Sequence, residues 1–488
     1  MIYATELCDP EDALVGWGMK VVMDGFAAAG RPCTSVVLGG AEPRPSVRPT
    51  VWLVSLGYAG SAWRIRQFFE ELAGEPMDKR KRDGRTVYIL GGHAIVNTEP
   101  FLEVFDAVFV GEADDQLPAL AACDGDIDRL AQVPGVDVGV QDVTFQRASG
   151  LGKRGLYEAS FDESDDSSKV GRTTYLEVAR GCRAACRFCE LGWLYGYTER
   201  SKEETMALMA SAPDPRQVVL SAPDTDGVSW LSDAISQGEY RPRWRSTRIL
   251  PYLRSHPSDA DGKRGRIRFG VEGVTERLRK QISPLKAMTD RDIELAVQRA
   301  IAEGYRTLRM FLIGGIPGET AADRHHLSEL VGIYERAKGL RHWKAADIKV
   351  TGLSPQPHTP WQRFGIARSL EALRDYRRIV GMYERGRQQF RTVMVDAQDT
   401  EADVVKRMRR GELIPYLMAR PLGPNQASPQ RRWEAVRGWA MAAGMDYDRR
   451  VLEDIPLDAE LPWHRTRHRY EAGVRNAELK AWRDVAAL

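Results

Sequence analysis

The stretch Arg180-Gly-Cys-Arg-Ala-Ala-Cys-Arg-Phe-Cys-Glu190 sets Cys182, Cys186 and Cys189 at CxxxCxxC spacing, directly after the strand-like run Thr173-Thr-Tyr-Leu-Glu-Val-Ala179. A loop of this kind can wrap thiolates around a compact metal centre. Soft sulfur ligands select zinc or iron–sulfur clusters. Three are one short of a tetrahedral zinc site, and no further Cys or His lies nearby to complete it. A [4Fe-4S] cubane normally takes four Cys, so three leave one iron open to a substrate or cofactor. The alternative use, three cysteines packed as small hydrophobes, is opposed by Arg183 and Arg187, which make this a poor core segment.

Composition fits an intracellular enzyme. The 488 residues predict two to four domains, and 43% hydrophobic with 28% charged residues is the balance of a soluble globular protein. Six cysteines are too few for a disulfide scaffold in such a length, and Cys8, Cys33 and Cys123 are scattered, so buried free thiols are expected there. The opening Met1-Ile-Tyr-Ala-Thr-Glu-Leu-Cys-Asp has no basic region followed by an apolar run, and no stretch matches a membrane span. A cytoplasmic location follows as the expectation. A net charge of +2 excludes a global field toward nucleic acid, leaving any such role to local patches.

Three regions are expected. Residues 1–150 alternate β-rich runs (Ile2-Tyr-Ala-Thr, Thr34-Ser-Val-Val-Leu, Val51-Trp-Leu-Val-Ser, Val87-Tyr-Ile-Leu, Ala107-Val-Phe-Val) with helices near residues 12–29 and 62–73. That alternation predicts a doubly wound, Rossmann-like parallel sheet. Gly91-Gly92 and Gly111-Glu112 fall where turns at strand ends build a ligand crevice. The polar run Glu158-Ala-Ser-Phe-Asp-Glu-Ser-Asp-Asp-Ser-Ser-Lys169 reads as a linker or exposed loop. Residues 170–365 read as repeated βα units: after the cysteine loop come a helix around 201–210 and strands at 217–222, 244–250, 266–272, 307–313 and 347–351, with a helix over 289–303. Six parallel strands with crossover helices make a partial (β/α)6, TIM-like barrel with its chemistry at the strands' carboxyl ends. Residues 366–488 read as a helical, basic region.

The cysteine loop closely resembles that of the radical S-adenosylmethionine (SAM) enzymes. In that family SAM chelates the open iron, and an electron from the cluster breaks a carbon–sulfur bond to give a 5′-deoxyadenosyl radical. The resemblance extends to Phe269-Gly-Val-Glu-Gly-Val-Thr-Glu-Arg-Leu-Arg279, similar to the family's G-x-E-S-G strand, and to Phe311-Leu-Ile-Gly-Gly-Ile-Pro-Gly-Glu-Thr320. It implies that Glu272 accepts hydrogen bonds from the ammonium or ribose of SAM, an ion pair with a neighbouring Arg being the alternative. It implies too that Gly314 and Gly315 let a backbone lie against adenine. Ser221-Ala-Pro-Asp224 stands where many members carry G-G-E, so Ser221 and Asp224 either replace that motif or form a turn. Arg245 and Arg248, ending the third strand, are candidates for the SAM carboxylate.

Residues 1–150 resemble the cobalamin-binding-like domain of one branch of this superfamily, through Val51-Trp-Leu-Val-Ser-Leu-Gly57, Ile89-Leu-Gly-Gly-His93 and Asp106-Ala-Val-Phe-Val-Gly-Glu112. The DxHxxG ligand motif is absent, Cys8-Asp-Pro-Glu-Asp12 standing in its place. Either cobalamin binds without a histidine or only the fold is kept. His93 reads as a turn residue, and Arg64 either sits below a corrin or is a solvated helix-face arginine. Leu353-Ser-Pro-Gln-Pro-His-Thr-Pro-Trp-Gln362, Arg409-Arg-Gly411 and Leu461-Pro-Trp-His464 resemble the tail of uncharacterised radical SAM proteins with the same N-terminal domain.

The expectation is a radical SAM enzyme with a [4Fe-4S] cluster and SAM, fed by a low-potential flavodoxin- or ferredoxin-type donor and rearranging or tailoring an organic substrate. The alternatives are a cobalamin-dependent methyltransferase and, without catalysis, an iron–sulfur redox-sensing binding module. Arg241-Pro-Arg-Trp-Arg-Ser-Thr-Arg248, Arg431-Arg-Trp433 and Trp463-His-Arg-Thr-Arg-His-Arg469 interleave arginine with tryptophan, as in sites that hold phosphates and stack bases. Solvated arginine faces explain these stretches equally well. A nucleotide or nucleic-acid substrate is therefore one option among organic substrates.

Overall fold

Short β-branched and aromatic runs that are buried on both faces belong inside parallel sheets, and two of these, β1 (Ile2–Glu6) and β3 (Val51–Ser55), start the first sheet. The computed structural model describes residues 1–7, 17–39, 45–151, 156–162, 170–215, 218–240, 244–255, 264–338, 345–384, 393–396, 399–424 and 428–486. With β2 (Cys33–Ser35), β4 (Val87–Gly91), β5 (Ala107–Phe109) and β6 (Val136–Asp137), the order is β2-β1-β3-β4-β5-β6. Ile2 pairs with both Cys33 and Val51, and all neighbours run parallel except the edge pair β5–β6. The expected Rossmann-like alternation is therefore present, with an antiparallel edge that the sequence did not announce.

The chain divides into two compact units, the first being Met1–Gly152, Tyr157–Thr173 and Asp399–Gly473, and the second Lys153–Leu156, Thr174–Gln398 and Val474–Leu488. Residues 366–488, read from sequence as one region, are thus shared between them. In the first unit the helix Thr400–Lys406 packs against the turn Ala59–Ser61 that follows β3, burying every residue from Thr400 to Val405. The Asn97 side chain donates to the carbonyls of Lys406 at 3.2 Å and Met408 at 2.8 Å. The Arg/Trp stretch at 463–469 is used inside this unit: Trp463 is buried, Arg465 pairs with Glu99 at 2.7 Å and Asp137 at 3.6 Å, and Arg467 pairs with Asp142 at 3.2 Å. Of the Arg241–Arg248 stretch, residues 241–243 lie outside the described residues.

The second unit carries the strands β7 (Val170–Glu177), β8 (Val218–Ser221), β9 (Trp244–Thr247), β10 (Arg264–Glu272), β11 (Tyr305–Gly314) and β12 (Ala345–Gly352), which cover the six expected runs, followed by β13 (Val393–Val395). β8 runs parallel to β7, and β9 through β13 form one parallel sheet. Among the described residues no ladder joins β8 to β9, so the barrel is open there. Its core gathers Ile267, Phe269, Val271, Leu308, Met310, Leu312, Ile348 and Val350, each fully buried. Full burial of side chains of this kind stabilises by about 1.5–3 kcal/mol apiece.

Two expectations are corrected here. Glu158–Asp162, read as linker, belongs to a strand, Leu156–Asp162, at the edge of the sheet containing β7 and β8. Tyr157, Ala159 and Phe161 alternate with Glu158, Ser160 and Asp162, a period-two pattern masked by its acidic residues. Arg64, read as solvated if not below a corrin, is 1% exposed, its guanidinium stacked over the Trp63 ring at 4.5 Å. His93 is an exposed turn residue as expected, while Cys8–Asp12 lies outside the described residues. Cys33 and Cys123 are free thiols, the first only partly buried. No helix among the described residues is long and apolar enough to cross a membrane.

Candidate metal and cofactor site at the carboxyl ends of the barrel strands

The cysteine loop leaves the end of β7 through a two-residue antiparallel ladder, Ala179–Arg180 with Thr198–Glu199, which closes its base. Gly181 makes that closure possible. It has φ +69°, and a Cβ there would lie 1.7 Å from the Gly196 carbonyl oxygen, so no other residue fits without displacing backbone. Ala185 also has positive φ, +44°, which is uncommon for an L-residue outside functional or tightly held turns. Neighbours hold it: Ser283 Oγ donates to the Ala184 carbonyl at 2.7 Å, Arg187 N–H to Ile282 at 3.0 Å, and Trp361 N–H to Arg187 at 3.0 Å. The Trp193 indole N–H donates to the Cys186 carbonyl at 2.9 Å, and Arg187 pairs with Asp484 at 2.9 Å.

The loop lies on the barrel core, with Ala184 and Cys186 inside the buried cluster and Cys182, Phe188 and Cys189 packed against it. Burial pushes the Cys186 thiol up to about 11, with the Lys286 charge pulling it down and Glu272 pushing it further up. Burial pushes Cys189 up to about 12 and raises Cys182, whose sulfur receives the Ala184 N–H at 3.4 Å. Among the described residues no three Cys, His, Asp or Glu side chains are already gathered at metal-ligating distance. The donor set nevertheless fits an iron–sulfur group: three sulfurs on one loop, an amide aimed at one of them, and two cations, Arg248 and Lys286, whose charge reaches Cys182 and Cys186. Binding would displace thiol protons that burial otherwise retains.

Charged residues from neighbouring strand ends come to the same place. Ser221 ends β8 and its carbonyl accepts from Val178 N–H at 2.9 Å. Asp224 caps the short turn Thr225–Gly227, is 8% exposed, and sets its carboxylate 3.9 Å from Cys182 Sγ. Arg248 does not end the third strand: β9 stops at Thr247, and Arg248 caps the helix Ile249–Arg254 while its guanidinium pairs with Asp224 at 3.0 Å. The side chain of Arg245 lies outside the described residues. Glu272, at the end of β10, has φ +64° next to a register shift between Gly270 and Glu272, and its Oε1 accepts from Lys286 Nζ at 2.6 Å. The ion pair weighed for Glu272 therefore exists, with a lysine in place of an arginine.

Gly314 and Gly315 have a packing role. A Cβ on Gly314 would lie 2.9 Å from the Tyr376 ring, and one on Gly315 (φ +85°) would lie 2.4 Å from Ser369 Cα, both on the helix side of the turn. The turn is fastened by Glu319, whose carboxylate accepts from the N–H groups of Gly315 and Ile316, the latter at 3.1 Å, and from Tyr376 O–H at 2.6 Å. Sequence reasoning missed Lys286, Glu319 and Trp361. Glu319 stands inside the stretch 311–320 and Trp361 inside 353–362 without a role assigned to either, while Lys286 falls outside both strand-end motifs, and its burial shows only in the structure.

No family model matches this sequence. A protein of Methanocaldococcus jannaschii described as uncharacterized, MJ0966, is 23% identical over 305 residues, which cover 58% of this chain. The match spans 63% of that relative's length. Among solved structures, a radical S-adenosylmethionine methyltransferase, TsrM, from Kitasatospora setae, with tryptophan substrate and a SAM analogue (aza-SAM) bound, is 12% identical and superposes with a TM-score of 0.47. That superposition covers 100% of this chain and 99% of the other, and at this similarity it transfers neither fold nor chemistry.

Proposed function

We propose that this chain is a radical SAM enzyme whose Cys182, Cys186 and Cys189 hold a [4Fe-4S] cluster. The observation that carries the reading is the placement of a CxxxCxxC loop at the carboxyl end of the first strand of an open parallel barrel, packed on its core. Such strand ends are where barrel enzymes assemble their chemistry. When bound, the cluster supplies one electron to the sulfonium of SAM. The chain's own residues do the rest. Asp224 and Glu272 are the carboxylates that receive the ammonium and ribose hydroxyls of SAM, Arg248 steadies Asp224, and the Glu319-fastened turn forms the floor on which the adenine rests. The inner side of the loop, Ala184 and Cys186, is buried against the barrel core and limits the access of water that would quench a radical.

Methyl transfer with cobalamin is a second reading, favoured by the order β2-β1-β3-β4-β5 of the first unit. Doubly wound sheets of that order bind cofactors at the switch point between β1 and β3. There Gly57, Tyr58 and His93 are exposed, and a Cβ on Gly57 would have only Glu6 Oε1 near, at 3.7 Å. That exposure leaves the outer edge of the rim accessible to a ligand, and cobalamin would serve there as a methyl carrier.

Anaerobic reconstitution tests both. About four irons per chain and SAM-dependent 5′-deoxyadenosine under reducing conditions support the first reading; an iron-free protein overturns it. Stoichiometric cobalt in protein from cobalamin-supplied cells, with S-adenosylhomocysteine and a methylated product, selects methyl transfer over rearrangement.

A further inference from the structure

Lys286 is 6% exposed in the short helical segment Pro284–Lys286, and its Nζ donates to Glu272 Oε1 at 2.6 Å and to the Gly270 carbonyl at 3.3 Å. Lysine is among the residues least often buried, and it is retained inside only when paired. Here it ties together the two ends of the β10 irregularity. A glutamate in the left-handed region (φ +64°) is strained and persists where its surroundings over-determine it, and the lysine is that constraint. A Cβ on residue 270 would crowd the pair, lying 2.7 Å from Glu272 Oε1 and 3.1 Å from Lys286 Nζ. The same segment grips the cysteine loop, since Ser283 Oγ bonds the Ala184 carbonyl and Arg187 N–H bonds Ile282.

We propose that Lys286 is a positioning residue that aims the Glu272 carboxylate and sets a permanent positive charge beside the cysteine loop, raising the reduction potential of the cluster held there. The inference rests on the iron–sulfur reading above. Cluster potentials follow net charge, hydrogen bonding and exposure, and a fixed ammonium favours the more negative, reduced state. Lys286 acts through Glu272 and through its field, without touching the reacting atoms.

The test compares anaerobically reconstituted wild type, Lys286→Met and Lys286→Arg for iron content, midpoint potential and SAM dissociation constant. Lys286→Met is expected to keep its iron, move the midpoint to more negative values and weaken SAM binding about tenfold, the loss of one charge-assisted hydrogen bond. Lys286→Arg restores the midpoint. Should Lys286→Met lose iron, Gly270→Ala decides: it keeps the charge and crowds the pair, so weaker SAM binding with an unmoved midpoint supports the proposal. Iron-loaded Lys286→Met with wild-type midpoint and affinity, or Gly270→Ala with unchanged SAM affinity, overturns it. Iron-free wild type overturns the iron–sulfur reading itself, a result separable from either.

Discussion

The parallel strands of the two units end in two different rims. At the carboxyl ends of β3, β4 and β5 the special positions serve backbone packing: Gly92 (φ +117°) has the Leu56 carbonyl where a Cβ would be, 2.5 Å away, and Gly111 (φ +107°) has that of Gln146 at 2.2 Å. At the ends of β7, β8 and β10 the special positions carry chemistry: one buried and two half-buried thiols, the Asp224–Arg248 pair and the Glu272–Lys286 pair. One architecture thus hosts a close-packed platform and a charged, desolvated site. Fold alone predicts neither outcome.

The contrast is broken most directly at the thiols. Replacing Cys182, Cys186 and Cys189 together by Ala is expected to take iron from about four per chain to none, whereas His93→Ala on the other rim leaves the iron count unchanged. Full iron in the triple variant would remove the distinction between the rims.

Backbone closure gives the next largest effect. Gly181→Ala combines positive φ with a 1.7 Å clash, while Gly30→Ala in the first unit has the same sign of φ (+75°) and nothing within 4 Å. Strain with a clash is expected to cost about 3 kcal/mol or more, and strain alone about 1 kcal/mol. Calorimetry should show the barrel transition lowered by roughly 6–12 °C in the first variant, and the other unit's by roughly 2–4 °C in the second. Equal shifts would mean that the loop tolerates opening at Gly181.

How far these rims were legible differs between local and tertiary signals. Thr289 and Asp292 announce the helix Asp290–Ala302 through a capping box that the structure forms, and the six barrel runs declared themselves by β-branched composition. The cysteine loop declared itself by spacing. Lys286 did not, because a lysine two residues after a proline reads as a turn until Gly270 and Glu272, sixteen and fourteen positions away, close over it. Arg248 was misplaced because the β-rich run Trp244–Leu250 continues past the point where Arg248 begins a helix. Pairings made across the barrel leave no periodicity to read.

Glu272→Gln sharpens the comparison at one carboxylate. The exchange keeps shape and removes charge, so SAM binding should weaken about tenfold, the worth of a charge-assisted hydrogen bond, with iron intact. Unchanged affinity would leave Glu272 as the structural partner of Lys286 and place the SAM contact on other groups.

Thiol titration gives the smallest and most local effect. Burial raises Cys186 to about 11 and Cys189 to about 12 in the second unit, and Cys33 to about 11 in the first. In metal-free protein at pH 8 these thiols are roughly 0.1% ionised or less, against about a tenth for a cysteine at the ordinary 9.0. Iodoacetamide should therefore label them on the order of a hundredfold more slowly than a free thiol, the rate climbing about tenfold per pH unit up to pH 10. The sign for stability follows: because folded values are raised above the ordinary 9.0, the protonated thiols stabilise the metal-free fold fully below pH 9, and that contribution is lost as pH rises toward 11–12. Cys33 shares this behaviour, so pH alone does not separate the two units. Reconstitution does, since iron loading should block labelling at Cys182, Cys186 and Cys189, as read by peptide mass, while Cys33 reacts as before. Equal protection at Cys33 would show that loading tightens the whole chain and does not act through the cysteine loop.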